Sequence, residues 1–446
     1  MRTIFKVLIV LFLMFITIFW TLDYNIQKKQ FTFLKIKKLL SKDTIAFIKK
    51  NASSIVDFNF KVSEEKKFQL VNREVKFKKF SNIFLKYRYY LEQDKQNIYA
   101  ITNRGELFYF SKKDIFNNQK IELKKIKTNI DDLIGKDYII NQNLVVKEIL
   151  LIKDKIYVSY INGNKNCYSN SILEGNLNTN NIIFYSFIKL DECKNRYNLS
   201  QGGNIKKFKD NKIAFTIGDY EAYESSLDET NEPQNINSYY GKILTVDLAS
   251  KKIDILSMGH RNPQGLFYDR QNDILFSTEH GPQGGDEINA NVKPNKNKVK
   301  NFGWPISSYG EHYGMDQGWS EKLKDNPGLL NDNILYKRAP LYKSHKDYGF
   351  VEPIKYFTPS IGITEILKVQ YSLVNQHKLL VSSMGYDKEE DDMTLHILNF
   401  DENFKQLKYE KVYIGERIRD IIDLGNGSIL MSLESSGSFG ILKNIY

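Results

Sequence analysis

The sequence predicts an all-β, six-bladed β-propeller preceded by an N-terminal transmembrane or signal helix. Three observations carry that expectation. A short β-type run follows a turn six times, at Ile98-Tyr-Ala-Ile, Ile156-Tyr-Val-Ser, Ile213-Ala-Phe-Thr, Ile274-Leu-Phe-Ser, Leu379-Leu-Val-Ser and Ile429-Leu-Met-Ser. Successive starts lie 58, 57, 61, 105 and 50 residues apart, and a nearly constant period of strands and turns is what stacked four-stranded blades produce, with a two-sheet sandwich as the alternative that six repeats disfavour. The chain of 446 residues, 41% hydrophobic and 13% aromatic, can bury one large core, since propellers exceed the usual domain size as single units.

The elements follow in chain order. Arg2 and Lys6 precede Val7–Leu22, whose polar members are Thr17 and Thr21; with Ile4 and Phe5 this approaches the ~17–25 residues that span a bilayer. The run ends in Ile18-Phe-Trp-Thr-Leu22, without the small residues a cleavage site wants. Trp20 and Tyr24 suit an interfacial belt, and the leading positive charges favour an N-in orientation. Residues 1–25 are therefore expected to be a membrane anchor, or else a signal segment. Residues 26–75, dense in Lys and Phe, are expected to be a spacer, and 76–446 the propeller. The expected location is the bacterial inner membrane, facing the periplasm, with secretion to the periplasm as the alternative. Each repeat starts after turn formers such as Asp210-Asn, Gln271-Asn-Asp or Gly425-Asn-Gly. The wide spacing after Ile274 holds Asn301–Gly349, which reads as a loop insertion on one blade. Cys167 and Cys193 are the only cysteines and lie in one blade-sized segment; in an exported domain they are expected to pair, worth roughly 3 kcal/mol. The net charge of +11 is spread over lysines with no aromatic-interleaved basic stripe. It implies a solvated surface and no nucleic-acid partner, while favouring an anionic cofactor or surface.

Residues 260–287 concentrate the chemistry. His260-Arg-Asn-Pro-Gln-Gly precedes the strand-like Asp273–Thr278, and Glu279-His-Gly-Pro-Gln-Gly-Gly-Asp-Glu follows it. One short segment thus carries a cation (Arg261), amides (Asn262, Gln264), an imidazole (His280), a Gly281-Pro282 turn with free carbonyls, and the carboxylates Asp286 and Glu287. Polar groups this varied on strand-end loops point to a ligand site rather than to solvation alone. A hydrolase or lactonase propeller would need a carboxylate-rich metal centre, and Asp286-Glu287 is too little for one.

Gly259-His-Arg-Asn-Pro-Gln-Gly-Leu266, Thr278-Glu-His-Gly-Pro-Gln-Gly-Gly-Asp-Glu287 and Asn301-Phe-Gly-Trp-Pro305 together resemble the soluble glucose/sorbosone dehydrogenase family. Thr216-Ile-Gly-Asp219, Gly241-Lys-Ile-Leu244 and Arg417-Ile-Arg-Asp420 extend the resemblance over roughly residues 145–440. It implies a six-bladed propeller that uses pyrroloquinoline quinone and calcium to oxidise an aldose sugar, or a related aldehyde or alcohol, by hydride transfer. By the same resemblance Arg261 polarises the quinone, Asn262, Gln264 and His280 contact the cofactor, and Gly281 and Pro282 offer carbonyls to calcium, a hard cation suited to oxygen ligands. Arg417 and Arg419 alternate along a strand and would clamp cofactor carboxylates, for which Arg forks are suited.

The departures matter as much. The family's catalytic histidine opens a His-x-Gly/Ser-Gly-Arg segment, which here is Ser200-Gln-Gly-Gly-Asn204. A serine hydroxyl is no general base near neutral pH; Asp219, matching the aspartate that supports that histidine, is retained as the alternative proton acceptor. A family lysine is absent where Ser382-Ser-Met-Gly385 stands, and an aromatic is replaced by Thr358. Two functions follow as expectations: an exported quinone-dependent sugar dehydrogenase with an altered base, or a catalytically inactive membrane-tethered propeller that binds a sugar, glycan or protein.

Overall fold

Each of the six repeated runs forms the second strand of its own sheet in the computed structural model. The structure describes residues 58–445 apart from 84, 118–119, 136–137, 140–144, 165–166, 195–199, 221–231, 283, 310–344 and 370–375. Blade one runs outward from Tyr89–Gln93 through Asn97–Thr102 and Leu107–Ser111 to Lys124–Thr128. Blade two is Val146–Ile152, Lys155–Asn164, Cys167–Asn176 and Phe184–Lys189, and blade three Gly202–Phe208, Lys212–Ile217, Lys242–Asp247 and Ile253–Met258. Blade four is Pro263–Asp269, Ile274–Glu279, Asp286–Val292 and Lys355–Phe357, and blade five Ile363–Lys368, Gln376–Ser383, Thr394–Asp401 and Gln406–Tyr413. Blade six begins Ile418–Gly425, Ser428–Leu433 and Ser438–Lys443. The innermost strand of each blade contacts that of the next, and the sixth returns to the first. The fold is a six-bladed propeller.

The core lies between blades. Ile149, Val158 and Leu173 of blade two pack with Tyr99, Ile101 and Leu107 of blade one, and Ile274, Phe276 and Ile288 of blade four with Ile366, Leu379 and Val381 of blade five. A second strand is therefore covered on both faces, so it reads as a continuous apolar run, and Ile274–Glu279 is buried throughout. Outer strands such as Gln406–Tyr413 keep one face in solvent and alternate.

Blade six closes the ring with both ends of the described chain. Arg73–Ser81 pairs antiparallel with Ser438–Lys443, in register from Lys76↔Lys443 to Phe80↔Phe439, and Asn59–Leu70 pairs with Arg73–Ser81. The expected spacer over 26–75 is thus corrected, since Asn59–Leu70 and the start of Arg73–Ser81 belong to the propeller. Their solvent faces carry the lysines that made the segment resemble a linker. Phe439 holds the closure, its ring centroid 5.0 Å from Phe60 and Tyr89 and 5.4 Å from Phe110.

The wide spacing after Ile274 is an insertion between the third and fourth strands of blade four. On the way, Lys300–Asn301 adds to the outer edge of blade three. Cys167 and Cys193 form the expected disulfide, with Cα atoms 5.0 Å apart. The segment Val7–Leu22 lies outside the described residues, among which no helix is long and apolar enough to cross a membrane.

Expression from residue 58 is expected to give a folded propeller, because Phe58–Tyr446 forms one compact unit. Starting at residue 76 instead removes the buried Phe60 and Val75, and losing a buried Phe alone costs about 3–5 kcal/mol. Equal thermal unfolding midpoints for the two chains would contradict the closure described.

Candidate active site

Six sheets around an axis leave six innermost strands, each hydrogen-bonded on one side only. Carboxylates from adjacent blades meet some of these bare N–H groups. Asp420 of blade six accepts from Leu91 N of blade one at 2.5 Å. Glu92 of blade one accepts from Leu151 N of blade two at 3.3 Å, and Glu365 of blade five from Leu266 N of blade four at 3.2 Å. Glu148, Glu365 and Asp420 approach one another on the axis. Asn204 Nδ2 donates to Glu148 and Glu365 at 3.0 and 2.8 Å, and Lys206 Nζ stands 3.4 and 3.3 Å from the same two carboxylates. Burial lowers the Lys206 pKa, but Glu148, Glu365, Asp420 and Glu92 outweigh it and the ammonium stays charged. Burial first, with like charges adding, raises Glu148 and pushes Asp420 up to about 7, so the excess carboxyls take protons.

This plug adjoins a cavity of about 590 Å³ to which every blade contributes. Ser200, Arg261, Asn262, Gln264, His280, Gly281, Pro282, Arg417 and Arg419 all line it. Asp219 does not. Its carboxylate is fully buried and accepts the Trp304 indole N–H at 2.7 Å, and its own N–H donates to the Arg261 carbonyl at 2.8 Å. Asp219 thus anchors the arginine loop from behind and is poorly placed as the alternative base.

The loop 260–264 is held from several sides. His260 bridges Ser257 Oγ and Glu279, both at 2.8 Å, and Glu279 also accepts the Arg261 backbone N–H. This Ser-His-Glu set is buried and braces the loop. Asn262 Oδ1 accepts from Gly202 N at 3.0 Å and from Gln264 Nε2 at 2.8 Å, tying blade four to blade three. The Arg261 guanidinium lies 5.5 Å from the Trp304 ring and donates to the carbonyls of Gly281 and His280 at 2.8 and 3.3 Å. The Gly281 turn admits no side chain, since a Cβ there would fall 2.3 Å from the Gly284 carbonyl oxygen. Asp286 is spent on structure, accepting from the N–H groups of Gly281, Ile361 and Ile363 at 3.0, 3.1 and 2.9 Å. Burial, helped by Arg261, Arg419 and Arg417, lowers the His280 pKa against the pull of Asp286, so its imidazole is neutral at pH 7.

Opposite stands a cluster of cations. Arg417 and Arg419 face one side, as their spacing requires, and both reach Glu434, Arg419 Nε at 2.7 Å and Arg417 Nε at 3.4 Å. Arg88 Nε joins the same carboxylate at 3.2 Å. Although Glu434 is buried, Arg419, Arg88 and Arg417 draw its pKa down. Sequence reasoning missed Arg88, Lys147 and Glu434, which come from blades one, two and six outside any motif; Arg88 and Lys147 lie at or on an inner strand, whereas Glu434 follows the second strand of blade six. A Cβ at Gly385 would lie 1.8 Å from the Asp392 carboxylate, and Met384 lines the cavity, its carbonyl accepting from Arg417.

A carboxyl whose folded pKa is raised adds stability at low pH and loses it as pH rises through that value. Asp420→Asn is therefore expected to lessen the fall in thermal midpoint between about pH 4 and 7. Parallel losses in the two proteins would show that Asp420 is not held protonated.

Comparison with known proteins agrees with this geometry. The stretch 150–442 matches the family model described as Glucose / Sorbosone dehydrogenase. An aldose sugar dehydrogenase of Escherichia coli is 45% identical over 62 residues, 14% of this chain and 15% of that one. Quinoprotein glucose dehydrogenase B of Acinetobacter calcoaceticus is 32% identical over 138 residues, 26% and 28% of the two chains. These matches span about a third or less of the curated relatives' length. Among solved structures, a glucose dehydrogenase superposes with a TM-score of 0.58 at 17% identity, covering 81% of this chain and 97% of that one. The soluble aldose sugar dehydrogenase of Escherichia coli, in its apo form, gives 0.56 at 18% identity, covering 80% and 96%; at such identities the likeness concerns the fold. With the family match running through blades two to six, the chain belongs to the Glucose / Sorbosone dehydrogenase family.

Proposed function

We propose that this protein oxidises an aldose sugar, or a related aldehyde or alcohol, using pyrroloquinoline quinone and calcium. The observation that carries the reading is the single cavity in which Arg261, Arg417 and Arg419 meet Arg88 and Lys147. A flat tricarboxylate needs such forks, and a cavity of about 590 Å³ is in the range of small-molecule sites. Arg88, Arg417 and Arg419 would hold carboxylates, exchanging part of their pairing with Glu434 for the ligand. Gly281 and Pro282 would offer carbonyls to calcium. Gly281 O already takes the Arg261 guanidinium, so metal and arginine would act at one end of the ligand. Bound there, the quinone supplies the hydride acceptor. Arg261 would stabilise the negative charge that develops, with Asn262 and Gln264 orienting the ring edge. We further propose an exported protein tethered by Val7–Leu22 and facing the periplasm; the Cys167–Cys193 disulfide supports an oxidising compartment.

The inactive, sugar-, glycan- or protein-binding reading rests on Ser200, Gly385 and Thr358. It is the weaker one, because the cation cluster and the braced Arg261 loop persist around a cavity open to a ligand.

Reconstitution of purified protein with quinone and calcium is expected to shift the cofactor's absorption and to start sugar-dependent dye reduction. Arg261→Ala should then lower the rate by about 10²–10³-fold, the usual loss on removing one donor at a developing charge. Quinone binding without any turnover would favour the inactive reading, and no binding at all would overturn the quinone assignment.

A further inference from the structure

Ser200 leaves the proposed reaction without the family's histidine base, and the cavity wall holds a group that no motif marks. Lys147 lies on the innermost strand Val146–Ile152 of blade two and lines the cavity together with Ser200, Arg261 and His280. Its stem runs against the backbone that follows Ser200, for a Cβ at Gly203 would meet Lys147 Cβ at 2.5 Å and Cγ at 2.6 Å. A lysine packed this way rises directly beside the segment where a family histidine would stand.

We propose that Lys147 Nζ is the general base of this protein, taking the proton of the substrate hydroxyl in place of the missing histidine. The inference rests on the quinone-dependent reading above. Neighbouring charges suit the role. Blade one presents Arg88 and Tyr90, and blade six presents Arg419 and Glu434. Glu434 engages Arg88, Arg417 and Arg419, whereas Lys147 forms no ion pair with a described residue. From blade two itself, Glu148 turns to the axis and its amide and ammonium partners Asn204 and Lys206. Burial first, then Arg419 and Arg88, draws the Lys147 pKa down to about 7. An ordinary lysine near 10.4 is neutral in about one molecule in 10³ at pH 7, whereas one titrating near 7 is neutral in about half.

The step balances. The hydroxyl O–H bond breaks and an N–H bond forms on Lys147. The freed O–H electron pair closes the new C=O as the carbon's hydrogen leaves with its two electrons to the quinone named above, and the ammonium later returns its proton to water. Such a positioned base contributes typically 10²–10⁴-fold.

The decisive comparison is Lys147→Arg, which keeps the positive charge but cannot deprotonate. In reconstituted protein it is expected to bind quinone as the unsubstituted protein does and to lose about 10²–10⁴-fold in sugar-dependent dye reduction. Lys147→Met should lose the same activity, which separates a lost base from a misfitting guanidinium. A readout free of turnover is trace acetylation of the cofactor-free protein across pH, followed by peptide mass spectrometry. Lys147 should become reactive with a midpoint near 7, about three units below exposed lysines. A midpoint near theirs, or full turnover in Lys147→Arg, would overturn the proposal while leaving the quinone reading intact. Failure of every variant and of the unsubstituted protein to bind quinone would overturn the reading and the proposal with it.

Discussion

A ring of six sheets has an unavoidable cost at its centre. Every innermost strand exposes one unpaired edge toward the axis, and buried N–H groups without partners are expensive. Here carboxylates from adjacent blades meet several of them: Asp420 at Leu91, Glu92 at Leu151 and Glu365 at Leu266. That solution brings acids into contact, and Lys206 with Asn204 makes it tolerable. Taking one partner from such a set would leave a buried charge uncompensated, which typically costs about 3–5 kcal/mol. The polar axis is thus structural, and it also forms the floor of the ligand cavity, where Glu148, Asn204 and Glu365 appear in the lining.

The division between floor and rim explains how the site works electrically. The acids of the floor are matched to Lys206 and to backbone donors. At the rim Arg88, Arg417 and Arg419 share one carboxylate, Glu434, and Lys147 adds a further amine. Cations in excess of their counter-charge, inside a walled cavity, favour an anionic ligand more strongly than the same charges in open water. Across from them, Arg261 is fixed by Trp304, by Glu279 and by the Gly281 carbonyl. Its position does not await a ligand, which is the preorganisation that charge stabilisation requires.

Much of this was legible in the sequence for physical reasons. Second strands are covered on both faces, so Ile274-Leu-Phe-Ser and its five counterparts stand out as apolar runs at a blade-sized period. The Arg261 loop enters Pro263–Asp269 and the Gly281 loop leaves its antiparallel neighbour Ile274–Glu279 at the same end of the pair, so a single segment displays both. What escaped notice was assembled from distant chain. Arg88, Lys147 and Glu434 sit on three blades, and no local pattern distinguishes them from the lysines and glutamates of the surface. Asn59–Leu70 and Arg73–Ser81 show solvent on one face, so their charges hid their pairing. Asp219 matched a motif position, yet its burial behind Trp304 depends on the insertion that carries Trp304, which no spacing reveals.

The central claim is that the cation-rimmed cavity is a polyanion site aligned on Arg261. A crystal structure of the protein reconstituted with pyrroloquinoline quinone and calcium tests it most directly. The account predicts cofactor carboxylates within about 3.2 Å of guanidinium nitrogens of Arg417 and Arg419, a quinone oxygen facing Arg261, and the metal at the Gly281 and Pro282 carbonyls. A cofactor bound elsewhere, such as in the separate surface cleft between Lys355 and Tyr409, or an unchanged Arg–Glu434 cluster with an empty cavity, would contradict it.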